Sequence, residues 1–273
     1  MSSLAEPGCA CVVRVLTVSL LLMLGLCSCS GKAIDLGRDP EILWWTDHET
    51  GDLSDWHRGA NSSWLAYGGT LAVDTQQARS GRYSLDAQAL AAPKGTTSAA
   101  MLLRTGDLPQ AAYYSAWFYL PTSATSFDYW LIFKFRSRTP DPNPVDVELW
   151  DIDLTSQGSE LELRVFHHAS TADGGIGSEI APATPLAVPR DRWFQVEAYL
   201  RAAPDDTGEL VIWQDGNVLY DIHGPSAPSA YLQWSVGSAA ESLGKGVARA
   251  FVDDAAISLR ELGPDTPPFW RGE

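Results

Sequence analysis

The fold of this chain is decided by three consecutive segments, YWLIFKFRSR (129–138), VDVELWDIDL (145–154) and LELRVFHH (161–168). Each segment alternates in polarity, and the side chains of a β-strand point to opposite faces with a period of two. The three segments therefore predict neighbouring strands of an antiparallel sheet with two different faces. One face is apolar, and the other combines aromatic rings with charged groups.

The second face has the chemistry of a sugar-binding surface. Sugar C–H groups stack on aromatic rings, while sugar hydroxyls bond to charged side chains. Residues 193–201 and 209–216 repeat the two-faced pattern, so we predict that they extend the same face. The predicted glycan-binding set is Trp130, Lys134, Arg136, Glu148, Trp150, Arg164, His168, Gln195, Glu197, Tyr199 and Trp213. The alternative is an ordinary sheet whose second face packs under loops or another strand layer.

Composition limits the kinds of partner that the protein can have. The chain has 273 residues, of which 45% are hydrophobic, and a formal net charge of −15. Such an acidic chain argues against nucleic acid as a partner. All four cysteines lie within residues 1–29, so we expect no disulfide framework and no cysteine metal site in the folded domain. We expect a monomer whose partner is a polysaccharide.

The N-terminal residues 1–29 have the pattern of an export signal. Arg14 precedes the apolar run 15–27, which is too short to span a bilayer comfortably. The sequence Leu-Cys-Ser-Cys that ends at Cys29 resembles a bacterial lipobox, so we predict a lipoprotein signal peptide with Cys29 as the lipidated residue. An ordinary secretory signal is the alternative. Either reading predicts an exported protein, held on the outer face of a bacterial membrane only by its lipid or secreted.

The remainder of the chain is predicted to be one all-β domain. Residues 30–40 read as a tether, residues 41–262 as the domain, and residues 263–273 as a flexible tail. The domain contains about a dozen short alternating runs separated by Gly, Pro and Asp, and it lacks helical periodicity. This pattern predicts a two-sheet antiparallel β-sandwich.

Several motifs resemble those of a known superfamily. Residues 49–56 (ETGDLSDW), 78–85 (ARSGRYSL) and 251–259 (FVDDAAISL) resemble the opening and closing strands of extracellular jelly-roll domains. Residues 190–201 and 207–221 resemble the concanavalin A-like lectin/glucanase superfamily, in particular heparin-lyase-I-like polysaccharide lyases and related surface proteins. The resemblance spans about residues 41–260, and it implies a jelly roll that binds glycan across its concave sheet.

The resemblance also implies a structural Ca²⁺ between the first and last strands. The carboxylates at the matching positions are Glu49 and Asp253 or Asp254, with Asp52 as a weaker candidate. Calcium prefers six to eight hard oxygen ligands, which carboxylates and turn carbonyls supply.

Three activities fit such a surface. Glycan binding alone needs only stacking and hydrogen bonds, and it is our main prediction. The alternative is β-elimination of a uronate polysaccharide, in which Tyr199 or His168 acts as the base and Lys134, Arg136 or Arg164 neutralises the carboxylate. Glycoside hydrolysis is a weaker alternative. Asp146 and Glu148 would be about 7 Å apart on one face, but the spacing of acids in ELWDID departs from the glucanase motif.

Overall fold

The computed structural model describes residues 39–56, 62–105, 108–124, 129–138, 146–157, 160–168, 177–241, 243 and 246–268. Within these ranges the chain forms sixteen β-strands and no helix, and therefore no helix that could cross a membrane. The strands make two antiparallel sheets, which confirms the predicted all-β sandwich of jelly-roll type. The predicted signal peptide, Cys29 and most of the tether lie outside the described residues.

Sheet A has eight strands, and β16 lies near its middle. Its order is β14-β13-β12-β6-β16-β4-β3, and β1 pairs additionally with β16. The strands are β1 (Ile42–Thr46), β3 (Thr70–Asp74), β4 (Ser84–Ala89), β6 (Ala111–Tyr119), β12 (Trp193–Arg201), β13 (Glu209–Gln214), β14 (Asn217–His223) and β16 (Ala248–Ser258).

Sheet B also has eight strands and contains the three segments that predicted the fold. Its order is β10-β9-β8-β7-β15-β5-β2, and β11 pairs additionally with β9. The strands are β2 (Ser63–Ala66), β5 (Thr97–Thr105), β7 (Trp130–Arg138), β8 (Asp146–Gln157), β9 (Glu160–His167), β10 (Ser178–Ile180), β11 (Ala187–Val188) and β15 (Leu232–Glu241).

The core between the sheets is rich in aromatic side chains. Tyr114 of sheet A packs edge-on against Phe135 and Trp234 of sheet B, with ring centroids 5.0 and 5.5 Å away. Trp56 lies 5.6 Å from Trp234 and is fully buried with it. Burial of each such ring stabilises the fold by about 2–3 kcal/mol, so the two sheets are held together chiefly by apolar contact.

Two β-bulges interrupt the alternation where β7 pairs with β8 in sheet B. In β7, Leu131 pairs with Asp153 and Phe133 with Ile152, so Ile132 is an extra residue. Ile132 and Phe133 consequently both face the core. In β8, the pairing of Phe135 with Trp150 is followed by that of Arg136 with Glu148. Each bulge reverses which side of the strand a given residue faces.

The bulges correct two of our face assignments. Trp130 was predicted to line the glycan-binding face, but it is fully buried between the sheets and donates to Ser238 Oγ at 3.0 Å. Trp150 is buried with it, donates to the Ser226 carbonyl at 2.9 Å and stacks on His167 at 3.8 Å. Strict alternation was wrong for both tryptophans because an extra residue lies within two positions of each of them.

Candidate functional site

The outer face of sheet B carries a row of polar residues in register. Ser235 of β15 lies opposite Lys134 of β7, and Lys134 lies opposite Asp151 of β8. In the adjacent row, Gln233 lies opposite Arg136. Residues opposite each other on one face are about 4.5–5.5 Å apart at Cβ, so these side chains form one continuous surface, which we call the groove.

Asp151 joins two basic side chains at the centre of the groove. Its Oδ1 lies 3.2 Å from Lys134 Nζ, and its Oδ2 lies 2.9 Å from His168 Nε2. Asp151 and Lys134 are almost fully buried, whereas His168 is 30% exposed. An ionised carboxylate only accepts hydrogen bonds, so the contact is made by an Nε2–H group, and Nδ1 holds the lone pair whenever the imidazole is neutral. This arrangement orients His168 to accept a proton.

A second buried carboxylate lies one row further along the strands. Asp153 is 1% exposed and lies 3.5 Å from the Arg164 guanidinium, which also contacts Glu179 at 3.2 Å. Burial raises the pKa of Asp153 to about 7, and the nearby Asp151 charge adds to this shift while Arg164 opposes it. Arg164 therefore forms part of an ionic network at the edge of the groove.

A pocket beside Lys134 contains polar atoms that lack protein partners. Its volume is about 250 Å³, and its lining residues are Trp64, Leu103, Lys134, Arg136, Gln233 and Ser235. Among the described residues, Arg136 Nε, Gln233 Oε1 and Ser235 Oγ are buried without a hydrogen-bond partner. Buried polar groups are nearly always satisfied, and exceptions mark functional sites or missing ligands. The pocket is therefore suited to a polar ligand that carries both acceptors and donors.

Trp64 gives the pocket an aromatic wall. It lies on β2, is half-buried, and its ring centre is 5.9 Å from Lys134 Nζ. Trp64 was not predicted from sequence, because it belongs to a four-residue strand too short to show alternation. It also missed Gln233 and Ser235, although their spacing of two residues within an apolar strand is a signal for a shared polar face.

The family model described as polysaccharide lyase matches residues 48–240, which is more than half of the chain. This chain belongs to the polysaccharide lyase family. The matched range includes every residue named above as part of the groove or its pocket, from Trp64 to Ser235. A search of curated protein sequences finds no match.

Solved lyase structures share the fold of this family member. An endo-β-1,4-glucuronan lyase from the fungus Trichoderma reesei is 16% identical, with a TM-score of 0.65 over 83% of this chain and 100% of its own. An alginate lyase variant in complex with alginate trisaccharide is 10% identical, with a TM-score of 0.53 over 77% and 90%. An alginate lyase from Aplysia kurodai is 11% identical, with a TM-score of 0.51 over 80% and 99%. These similarities establish the fold.

Four residues of the predicted binding face lie on sheet A and not in the groove. Gln195, Glu197 and Tyr199 of β12 and Trp213 of β13 belong to the outer face of sheet A, not to the groove. The predicted single face was wrong because alternation identifies the two sides of a strand but not the sheet to which it belongs. Glu148 is on β8 of sheet B, but its side chain is outside the described residues, as is that of Asp146.

Gln195 and Glu197 have structural partners on sheet A. Gln195 Nε2 donates to Ser115 Oγ at 2.8 Å. Glu197 accepts hydrogen bonds from the backbone of Leu262 at 2.8 Å and Gly263 at 3.0 Å. Burial raises the pKa of Glu197 to about 7, although these two hydrogen bonds oppose the shift. Glu197 therefore fastens the segment after β16 to sheet A.

The residues predicted to bind Ca²⁺ already have partners within the protein. Asp254 pairs with the Arg79 guanidinium and accepts from Ser80 Oγ at 2.9 Å. Asp253 accepts from the Arg79 backbone N–H at 2.9 Å. Arg79 also stacks on Trp117, with Cζ 3.7 Å from the ring centre. The Arg79 guanidinium thus already pairs with Asp254, and the Arg79 backbone already bonds to Asp253.

Glu49 also has partners within the protein, namely two backbone N–H groups of a turn. Its Oε1 accepts from the N–H groups of Arg82 at 2.7 Å and Tyr83 at 2.8 Å. Among the described residues, Glu49, Asp253 and Asp254 do not form a group whose oxygens lie within 4.8 Å of one another. These residues fit a calcium ion poorly, and calcium binding stays a prediction.

Proposed function

We propose that the protein cleaves a uronate-containing polysaccharide by β-elimination in the groove of sheet B. The observation that carries this proposal is the Lys134–Asp151–His168 contact beside a pocket with unpartnered polar atoms. The family match supports an enzyme rather than a module that only binds glycan. Two of the similar structures are a glucuronan lyase and an alginate lyase, whose substrates are both polyuronates, and this supports the same substrate class here.

The groove supplies the groups that β-elimination requires. A base removes the proton at C5 of the uronate, the bond from C4 to the glycosidic oxygen breaks, and a double bond forms between C4 and C5. His168 is the base, because Asp151 orients its imidazole and its ring is partly exposed. His168 becomes an imidazolium when it accepts the C5 proton. The leaving oxygen then takes a proton from this imidazolium.

The uronate carboxylate must be neutralised while the C5 proton leaves, because negative charge develops on it. Lys134 and Arg136 supply positive charge at the wall of the pocket. Gln233 and Ser235 add hydrogen-bonding groups that can hold the carboxylate or a neighbouring hydroxyl. Trp64 offers its ring to a sugar face. Tyr199, the other base that we considered, belongs to sheet A and takes no part in this proposal.

The test is the release of unsaturated uronate products, followed by absorbance, from alginate, glucuronan and polygalacturonate. We expect at least one of these polymers to be cleaved by the wild-type protein. His168→Ala, Lys134→Ala and Arg136→Ala should each lower the rate strongly, while the exposed Lys94→Ala, a matched control for charge, should not. If the wild-type protein binds these polymers but releases no unsaturated product, the result would instead support glycan binding alone.

We also propose, from the sequence, that the protein is exported and lipidated at Cys29. The apolar run 15–27 followed by Leu-Cys-Ser-Cys supports this proposal. Mass spectrometry of the mature N-terminus should find a lipid-modified Cys29, and a Cys29→Ala variant should be released from membranes. An unmodified terminus at another residue would exclude the lipid anchor.

A further inference from the structure

The outer face of sheet A carries an aromatic patch, which we call the platform. It consists of Tyr113 on β6, Tyr199 on β12 and Trp213 on β13, three neighbouring strands. Tyr113 lies directly opposite Tyr199 in the strand register, and their ring centres are 4.9 Å apart. The rings of Tyr113 and Trp213 are 6.0 Å apart. All three side chains are half-buried, so each still presents part of its ring to solvent.

Charged pairs border the platform on one side. Arg201 of β12 contacts Glu209 of β13 at 2.5 Å, and His223 contacts Asp221 on β14 at 3.1 Å. Arg201 pairs with Glu209 in the strand register, and Glu209 pairs with His223, so these three residues form one row beside the platform. Glu209, Asp221 and His223 also bring three metal-ligating atoms within 4.8 Å. The Arg201 guanidinium already supplies positive charge to Glu209, so the cluster is better suited to hydrogen bonding than to a cation.

The platform has the opposite electrostatic character to the groove. The pKa of Tyr113 is raised by burial first and then by the negative charges of Glu261, Glu197 and Glu209. Carboxylates near Tyr113 repel a polyanion at short range. A polyuronate is therefore a poor ligand for the platform, although it suits the pocket lined by Lys134 and Arg136. An uncharged sugar chain meets no such repulsion and can stack on the rings.

We propose that the platform is a second glycan-binding site and that its ligand is a neutral polysaccharide. Rings that stack on sugar C–H faces, next to charged pairs that bond to hydroxyls, are the features that such a ligand requires. The platform and the groove lie on the outer faces of different sheets, so one molecule can hold both polymers at once. This site goes beyond the proposed lyase activity, because it holds the enzyme on a neutral polymer while the groove acts on uronate.

Affinity electrophoresis of the full-length chain tests the proposal. Gels contain hydroxyethyl cellulose, a soluble β-1,3-glucan or galactomannan, and alginate serves as the acidic comparison. We expect at least one neutral polymer to retard the wild-type protein. Tyr199→Ala and Trp213→Ala should each weaken this retardation by roughly fivefold, because a stacking ring is lost. Tyr199→Phe should keep it, because the ring remains.

Matched variants distinguish binding at the platform from binding in the groove and from a loss of folding. Trp64→Ala removes a ring from the groove and should leave retardation by the neutral polymer intact. Melting curves of each variant show whether it is folded. Tyr199→Phe keeps the test valid if an alanine substitution unfolds the protein. The proposal is overturned if no neutral polymer retards the wild type, or if both alanine variants are retarded as strongly. It is also overturned if light scattering shows a wild-type dimer that Trp213→Ala converts to a monomer.

Discussion

At the scale of single residues, the groove depends on how Asp151 divides its two oxygens between Lys134 and His168. One oxygen holds the ammonium in place, and the other fixes the tautomer and the direction of the imidazole. Asp151 was not among the residues predicted from sequence to line this face, and it is 2% exposed. Alternation could place Lys134, Arg136 and His168 on one face, because it holds between the bulges.

We expect His168→Ala to lower kcat by roughly 10²–10⁴-fold, the usual contribution of a general base, with little change in KM. Asp151→Asn keeps the shape of the side chain but removes the charge that orients both partners, so it should also lower kcat and should change the pH–rate profile. Steady-state kinetics on the best polyuronate checks both. A loss confined to KM would show that His168 binds substrate but does not act as the base.

At the scale of strands and turns, the boundaries of β7, β8 and β9 were predictable to within a few residues, whereas their bulges were not. Ile132 and Leu149 are ordinary apolar strand residues, and nothing local distinguishes them from their neighbours. The pairing of whole strands decides that an extra residue is accommodated there. For the same reason, the assignment of β12 and β13 to sheet A required long-range pairing that alternation does not report.

The turn between β3 and β4 is fastened to β16 by Arg79, and this contact gives a second prediction. Arg79→Ala removes the cation that pairs with the buried Asp254, so it should lower the free energy of unfolding by roughly 3 kcal/mol. Urea denaturation measures the change.

Melting curves with chelator and with added calcium should be compared for the wild type and for Arg79→Ala. A wild-type curve that shifts by several degrees would support the calcium predicted from sequence, and identical curves would exclude it.

At the scale of the whole molecule, buried carboxylates make stability depend on pH. The pKa of Glu197 is about 7 in the folded protein, against an ordinary value of 4.5. Between these two values the folded state binds more protons than the unfolded state, so stability falls as pH rises and is constant above about pH 7. The shift corresponds to at most about 3 kcal/mol. Asp153 acts in the same direction through its own raised pKa.

Glu197→Gln should therefore flatten the pH dependence of stability. The amide keeps an oxygen that accepts from the Leu262 backbone but cannot ionise, so the variant loses less stability between about pH 5 and pH 8 than the wild type. Urea denaturation at both pH values checks this. Equal losses in the two proteins would show that Glu197 ionises in the folded state as readily as in the unfolded state.

The pairing of β1 with β16 also determines how the domain carries mechanical load. A chain held from its N-terminal side transmits tension first through Asp39 and Glu41, which both contact Arg260, and then through the register between β1 and β16. Among the described strands β1 pairs with β16 alone, so this tension acts on an edge strand, whereas β16 itself lies between β6 and β4. A pull of this kind would separate β1 from β16 first, because β1 belongs to sheet A while Lys134 and Asp151 lie on strands of sheet B.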